Sequence, residues 1–197
     1  MQPLTIVFIG RSGSGKGTQA ELLKKRLAKV DPNRAVFHLE SGAKFRAFIN
    51  ENTYSSQLAR EVTERGDLQP PFLSVWVWSH LMVENLKGDE HLVLDGTPRR
   101  EEELVTLDSA FKFYKRSHVH VIHVDISRDE AVRRLTGRDR SDDVPDLITN
   151  RLDWFEEQVV PTIDRFRGMN DYTVHDVNGE RSVEEIHVDI ATRVGLA

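Results

Sequence analysis

The chain contains no cysteine, which excludes disulfide staples and thiolate metal sites and suits a reducing compartment. It has no surplus of positive charge: 27 lysines and arginines against 32 aspartates and glutamates leave a formal net charge of -5. Sustained contact with a nucleic acid backbone therefore has no global electrostatic support, and any phosphate site must be built locally. No apolar run approaches the length needed to span a membrane, and the start MQPLTIVFIG enters its first strand at once, leaving no room for a signal peptide. These absences point to a soluble, cytoplasmic protein with neither membrane nor nucleic acid as partner. Repeats, low-complexity segments and proline- or glycine-rich linkers are missing too, so the 197 residues are read as one domain, 1–197, with insertions.

What is present is concentrated near the start. Residues 6–18 read IVFIGRSGSGKGT. Four apolar residues, Ile6, Val7, Phe8 and Ile9, predict a strand buried on both faces, running without a break into Gly10, Gly13, Gly15, Lys16, Gly17 and Thr18. Gly10, four residues, Gly15 and Lys16 form the phosphate-loop spacing. Glycines let backbone N–H groups turn inward around a polyanion, Lys16 reaches the terminal phosphates, and the following helix aims its positive end at them. Thr18 is placed to meet a metal ion, with Gly17 where a hydroxyl residue is usual. The plainer reading, a glycine-rich turn, is outweighed by the strand before, the helix after and the lysine in place.

Further along, Ala20, Leu23, Leu27 and Val30 keep one helical face until Asp31-Pro32-Asn33. Strands are predicted at 35–39, 91–95, 118–126 and 172–177. Residues 40–69 behave differently: two short amphipathic helices, 44–49 and 57–65, bounded by Gly42 and Gly66, read as an insertion over the strand ends that covers substrate. A helix over 71–87 places Phe72, Val75, Ser79, Met82, Val83 and Leu86 on one side, with Trp76 and Trp78 read as packing rather than base stacking. Leu104, Leu107, Phe111 and Tyr114 mark another helix. Ser127 with Glu130, and Ser182 with Glu185, are capping boxes. Ile148, Leu152, Phe155, Val159, Ile163 and Phe166 line a long helix kinked at Pro161. Asn178-Gly179 is a turn, and Ile186, Ile190 and Val194 form the buried face of the last helix. Strands alternating with helices imply an α/β fold: a five-stranded parallel sheet with helices on both faces, and ligands at the strand carboxyl ends.

The polar residues sort by the same geometry. Asp95 ends a buried strand beside the loop, where such a sheet holds magnesium, unless it only caps the next helix. His118 and His120 fall on one strand face and His123 on the other, which suits sheet packing better than a metal. Arg128, Arg133, Arg134, Arg138, Arg140 and Arg151 make a locally basic stretch of an acidic chain, all arginine. A planar, permanently charged fork suits bidentate grip on phosphate oxygens. Some pair with Asp139, Asp142, Asp143 or Asp146, and Arg128 and Arg133 are given no site role. Gly137 and the polar run to Pro145 read as a short flap.

Taken in order, these motifs resemble the adenylate kinase family of nucleoside monophosphate kinases over nearly the whole chain. GRSGSGKGTQA is similar to the family's glycine-rich loop, with Ser12 where proline is common. Ser41-Gly42 with Arg46 resembles the start of the monophosphate-binding insertion, and Gly66-Asp67-Leu68-Gln69-Pro70 its end. Asp95-Gly96-Thr97-Pro98-Arg99 resembles the aspartate-glycine-phenylalanine-proline-arginine signature. Arg134, Gly137 and Arg138 match one side of the lid, and Arg140, Asp142, Asp143 and Arg151 the other.

The resemblance implies a P-loop NTPase-like three-layer α/β/α fold with a monophosphate-binding insertion at 40–69 and a short lid at 137–147 without structural zinc. It implies a monomer that moves a phosphoryl group reversibly from ATP, with Mg2+, to a nucleoside monophosphate, AMP foremost. ATP would be met by Ser12, Gly13, Ser14, Gly15, Lys16, Gly17, Thr18, Arg134, Arg138 and Gly179. The monophosphate would be met by Ser41, Gly42, Arg46, Gln69, Gly96, Arg99, Glu103, Arg140 and Arg151. Lys16, Arg99, Arg138, Arg140 and Arg151 would be catalytic, and Thr18 and Asp95 would hold Mg2+ indirectly.

The chain departs from the pattern at Glu103, where family members that take AMP usually carry glutamine, and at Ala43 and Thr97. An amide offers a donor and an acceptor to the adenine edge, whereas an ionised carboxylate offers acceptors only and would suit guanine or the cytosine amine. Ser41 keeps a hydroxyl like the threonine of AMP-specific members, and Gln69 can supply an amide. The alternatives are a UMP/CMP or GMP kinase of the same fold, and a nucleotide-sensing protein with weak turnover.

Overall fold

The apolar run at the start becomes β1, Thr5–Ile9, buried along its whole length. The computed structural model describes residues 1–137 and 144–196. Among them β1 is the middle strand of a five-stranded sheet in the order β2-β3-β1-β4-β5, with β2 at Val36–Glu40, β3 at His91–Asp95, β4 at Val119–Asp125 and β5 at Tyr172–Asn178. Every pairing is parallel. From β1 the chain fills one side of the sheet before crossing to the other, so ligands are expected outside the carboxyl end of β1, where the strand order reverses. The register sets Phe8 opposite Asp95, which brings the end of β3 beside the glycine loop that leaves β1.

Because strand side chains alternate, β1 feeds two layers. Val7 and Ile9 join one core with Trp78 and Met82 of α4 (Pro71–Asn85), Leu107 and Phe111 of α5 (Glu101–Phe113), and Ile163 and Phe166 of α8 (Val160–Arg167). Ile6 and Phe8 join the other with Leu23 and Leu27 of α1 (Lys16–Val30) and Ile186 and Ile190 of α9 (Val183–Arg193). This is the expected three-layer α/β/α arrangement. Two smaller cores hang from it at the site end. Phe48 of α2 (Ser41–Phe48) and Ala59 of α3 (Tyr54–Glu64) pack with Leu73. Ala131 and Leu135 of α6 (Arg128–Thr136) pack with Ile148 and Leu152 of α7 (Pro145–Trp154).

Several local expectations change; Val30, expected on the buried face of α1, is 48% exposed. The buried face of α4 is Leu73, Val77, Trp78 and Met82, while Phe72 and Val83, expected inside, are 74% and 73% exposed. The run PFLSVWVW is apolar almost all round its first turns, so its periodicity selects no face; packing against the sheet and α5 does. The long helix is divided by a π-helical turn, Phe155–Val159, with Pro161 in the first turn of α8. Pro161 donates no N–H and crowds the carbonyl four residues back, so the helix widens just ahead of it. Ser127 caps α6 by accepting from Glu130 N at 3.3 Å, but the reciprocal half of the box is missing. The Glu130 carboxylate holds Arg133 and Arg134 instead, and Ser127 N–H donates to Glu180 at 2.7 Å. The box of Ser182 and Glu185 is complete.

His120 and His123 pack within the sheet as expected, but His118 stands just before β4, exposed and at φ +53°. His120 Nδ1 lies 3.0 Å from His175 Nε2, and His123 Nδ1 2.8 Å from Asp176. No cluster of three or more His, Cys, Asp or Glu among the described residues is arranged to hold a metal ion.

Candidate active site

Tight turning of the chain after β1 forms the cradle. Gly13 and Gly15 sit at φ +84° and +88°, a region open to glycine at little cost, and Gly15 caps α1 directly. Lys16, the first residue of α1, donates from Nζ to the Arg11 carbonyl at 3.2 Å, which folds its side chain back over the loop. The adjacent Arg11 points away: it pairs with Asp125 at 2.9 Å and Glu156 at 2.6 Å and lies over the Phe155 ring. The loop is thereby strapped to the end of β4 and to the π turn.

Asp95 stands beside the loop and is 6% exposed. Burial raises its carboxyl above the usual range against the pull of Lys16, and its Oδ1 is buried without a hydrogen-bond partner. A side chain at position 17 would begin 3.1 Å from Asp95 Oδ2, a close approach that suits glycine there. Arg134 spans from α6 to the loop: Nη2 donates to the Gly179 carbonyl at 2.8 Å, Nη1 lies 3.5 Å from the Ser14 carbonyl, and Nε is held by Glu130 at 2.6 Å.

Across from the loop, Ser41 Oγ donates to the Gly96 carbonyl at 2.9 Å and Arg46 is held by Glu40 at 2.9 Å. Arg99 donates from Nε to the Gly96 carbonyl at 2.8 Å, and its guanidinium lies 5.5 Å from the centre of the Trp154 ring. Burial, with the neighbouring positive charges of Arg46 and Arg151, pulls the Arg99 pKa down against the support of Glu103 and Asp95. Guanidinium groups from α2, from the loop after β3 and from α7 thus repel one another inside one site. Such a cluster favours a multiply charged anion between them.

These residues line a single cleft of about 460 Å³, a volume that suits a small-molecule site. Of the residues singled out in the sequence, Ser12, Gly13, Gly15, Lys16, Gly17, Thr18, Ser41, Gly42, Arg46, Gln69, Asp95, Gly96, Arg99, Glu103, Arg134 and Arg151 border it. Ser14 is buried within the loop, and Gly179, which is not among the residues bordering the cleft, is joined to it through Arg134. Arg138, Arg140, Asp142 and Asp143 lie outside the described residues.

The adenylate kinase family model matches residues 8–170. The chain belongs to the adenylate kinase family. It is accordingly a phosphotransferase, a kinase. The adenylate kinase of Leuconostoc mesenteroides is 29% identical over 94% of this chain and 94% of its own length. That of Corynebacterium urealyticum is 31% identical over 93% and 94%, and that of Geobacillus sp. (strain WCH70) 28% identical over 98% and 99%. Among the described residues no helix is long and apolar enough to cross a membrane.

Within this adenylate kinase fold the cleft also has walls that the sequence reading left out: Phe45, Ile49, Thr63, Trp78 and Trp154. Trp154 Nε1 donates to the Gly66 carbonyl at 3.1 Å, and Asn150 Nδ2 to the Arg65 carbonyl at 2.8 Å, so α7 is bolted to the end of the 40–69 segment. A signal for Trp154 was available. It follows Arg151 by three positions, which places both on one helix face.

Proposed function

We propose that the chain transfers the terminal phosphoryl group of ATP reversibly to AMP, giving two ADP, with Mg2+ as cofactor, and that it works as a cytoplasmic monomer. The observation that carries this reading is the shared cleft in which Lys16, Arg134, Arg46, Arg99 and Arg151 surround one space beside the glycine loop. The acceptor is a phosphate oxygen, already anionic near neutral pH, so the reaction calls for alignment and charge neutralisation rather than a general base.

In this reading the loop amides of residues 12–18 and Lys16 hold the donor phosphates, with Arg134 across them. Arg46 and Arg99 grip the acceptor phosphate, with Ser41, Gly42, Gly96, Gln69 and Glu103 around its nucleoside. Arg151 bridges donor and acceptor, offsetting charge as it spreads over the transferred group. Arg138 and Arg140 are proposed to join it from the flap. Asp95, with an unsatisfied buried oxygen, and Thr18 suit Mg2+ held through its water shell, since that ion commonly binds through one or two carboxylates plus substrate phosphates. When bound it would neutralise phosphate charge. Residues 40–69 are the proposed acceptor segment and 137–147 the proposed lid, whose closure keeps water from the donor.

A coupled assay of ADP formed from ATP, AMP and Mg2+ tests the proposal. Expected is AMP-dependent ADP formation that falls at least about a thousandfold in Lys16→Met, a loss of roughly 4 kcal/mol of transition-state stabilisation. ATP binding without AMP-dependent turnover in the intact protein would make the chain a nucleotide sensor instead.

A further inference from the structure

Arg11 lies inside the glycine loop and yet does not border the cleft. Its fork turns the other way. Nη1 donates to Asp125 Oδ1 at 2.9 Å and to the Ile126 carbonyl at 3.0 Å, while Nε and Nη2 both donate to Glu156 Oε1, at 3.2 Å and 2.6 Å. The guanidinium carbon lies 4.7 Å from the centre of the Phe155 ring. A flat group that meets carboxylates, a carbonyl and a ring face together is held in more directions than a surface ion pair, and a lysine could not reproduce it. The carbonyl of the same residue accepts from Ser14 N–H at 3.1 Å and from Lys16 Nζ at 3.2 Å. The Arg11 peptide is therefore a hub of the loop, and its side chain ties that hub to the π turn.

The π turn continues α7, which carries Arg151 in its last turn and Trp154 at its end. Phe155 is packed in the same core as Val7 and Ile163, so the turn is anchored from below. On the far side of the cleft α7 is held by the bonds of Trp154 to the Gly66 carbonyl and of Asn150 to the Arg65 carbonyl. A line of direct contacts thus runs from the glycine loop through Arg11 and the π turn to α7 and the 40–69 segment.

We propose that Arg11 is a positioning residue for the transfer step: through Glu156 and Phe155 it sets the spacing between the glycine loop and α7, and so places Arg151 against the phosphates held by the loop. This rests on the phosphotransfer reading above and deepens it. Arg11 itself touches neither nucleotide. Its effect falls on ligands that engage both halves of the cleft at once, because a two-headed ligand depends on how its two sites are spaced, whereas a one-headed ligand meets its own half alone.

The test measures, by calorimetry, the affinities for ATP, for AMP and for the bisubstrate analogue in which a chain of five phosphates joins two adenosines, together with kcat for ADP formation. Arg11→Met keeps bulk over Phe155 and removes the fork. Glu156→Ala cuts the link from its other end without altering the loop. Asp125 and Glu156 are 55% and 43% exposed, so neither change strands a buried charge and both proteins should stay folded in thermal melts. Expected in both is a loss of about tenfold or more in bisubstrate affinity and in kcat, with the affinities for ATP and AMP alone kept within about threefold. In an Arg151→Met background the same changes should cost less than about twofold in kcat, since the side chain they misplace is already gone. Unaltered bisubstrate affinity and kcat in both variants would overturn the inference and leave the phosphotransfer reading standing. So would a loss matched by an equal loss of affinity for ATP alone, which would make Arg11 a brace for the loop only. Intact protein whose bisubstrate affinity depends on Arg11 and Glu156 as expected, but which forms no ADP, would keep the inference and sink that reading instead.

Discussion

Gly179→Ala should weaken the fold and the donor site together. Gly179 is buried at the end of β5, its N–H donates to the Asp125 carbonyl at 2.7 Å, and its carbonyl holds Arg134 at 2.8 Å. A methyl group there would lie 2.8 Å from Val124 Cγ1, 2.9 Å from Ile126 Cγ2 and 3.1 Å from the Asp125 carbonyl. Val124 and Ile126 are themselves core, 0% and 3% exposed, so they have little room to yield. Overpacking of this kind costs about 1–3 kcal/mol. In a domain of this size each kcal/mol lowers Tm by about 2–4 °C, which gives a fall of about 2–12 °C. The displaced carbonyl also loosens Arg134, so the KM for ATP should rise several-fold while that for AMP holds. Gly168→Ala is the control: its φ is -87° and the nearest atom to an added methyl is 3.5 Å away, so Tm should hold or rise slightly. Thermal melts with steady-state kinetics decide the matter. A Gly179→Ala protein with unaltered melting and unaltered ATP KM would refute the reasoning.

Trp154 offers a second test: Trp154→Phe loses the bond to Gly66, worth about 1 kcal/mol, and should raise the KM for AMP about fivefold. Trp154→Ala also removes the ring over Arg99 and should raise it tenfold or more; unchanged acceptor kinetics in both would remove Trp154 from the site. Burial raises the Glu103 carboxyl pKa above its ordinary 4.5 despite the Arg99 charge and N–H, so the ionised group costs stability above its folded pKa and nothing below the unfolded one. Glu103→Gln should accordingly gain Tm at pH 8, with the gain fading as pH falls toward 4.5; melts across that range showing a constant difference would contradict it. Arg116→Met should be far more damaging. It strands Glu90, 4% exposed, whose carboxylate otherwise accepts from Lys87 and Gly88 N–H and from Arg116 at 3.3 Å. Breaking such a buried pair costs about 3–5 kcal/mol, or roughly 6–20 °C in Tm, and a fall under 3 °C would show the pair to be dispensable.

Much of the site's framework was legible because it is local. The strand, the glycines and Lys16 are contiguous, so their spacing fixes the cradle whatever surrounds it. Asp95 is legible as the last residue of an apolar run, and the register with Phe8 brings it beside the loop. Arg11 shows where spacing alone misleads: it lies inside the loop, yet its guanidinium turns to Asp125 and Glu156, far along the chain. Trp76 and Trp78 look alike in sequence, but one is 47% exposed and stacks on His80 while the other is core.

By itself, then, the sequence determined the alternation of buried strands and amphipathic helices, the phosphate cradle and the family, because each depends on residue order over one or two turns of chain. Tertiary structure alone decided which face of α4 is buried, which arginines share a cleft, and that Trp154 covers Arg99. Those outcomes rest on contacts between elements far apart in the chain, set by strand order and register, and no local pattern of residues encodes the neighbour that folding will supply.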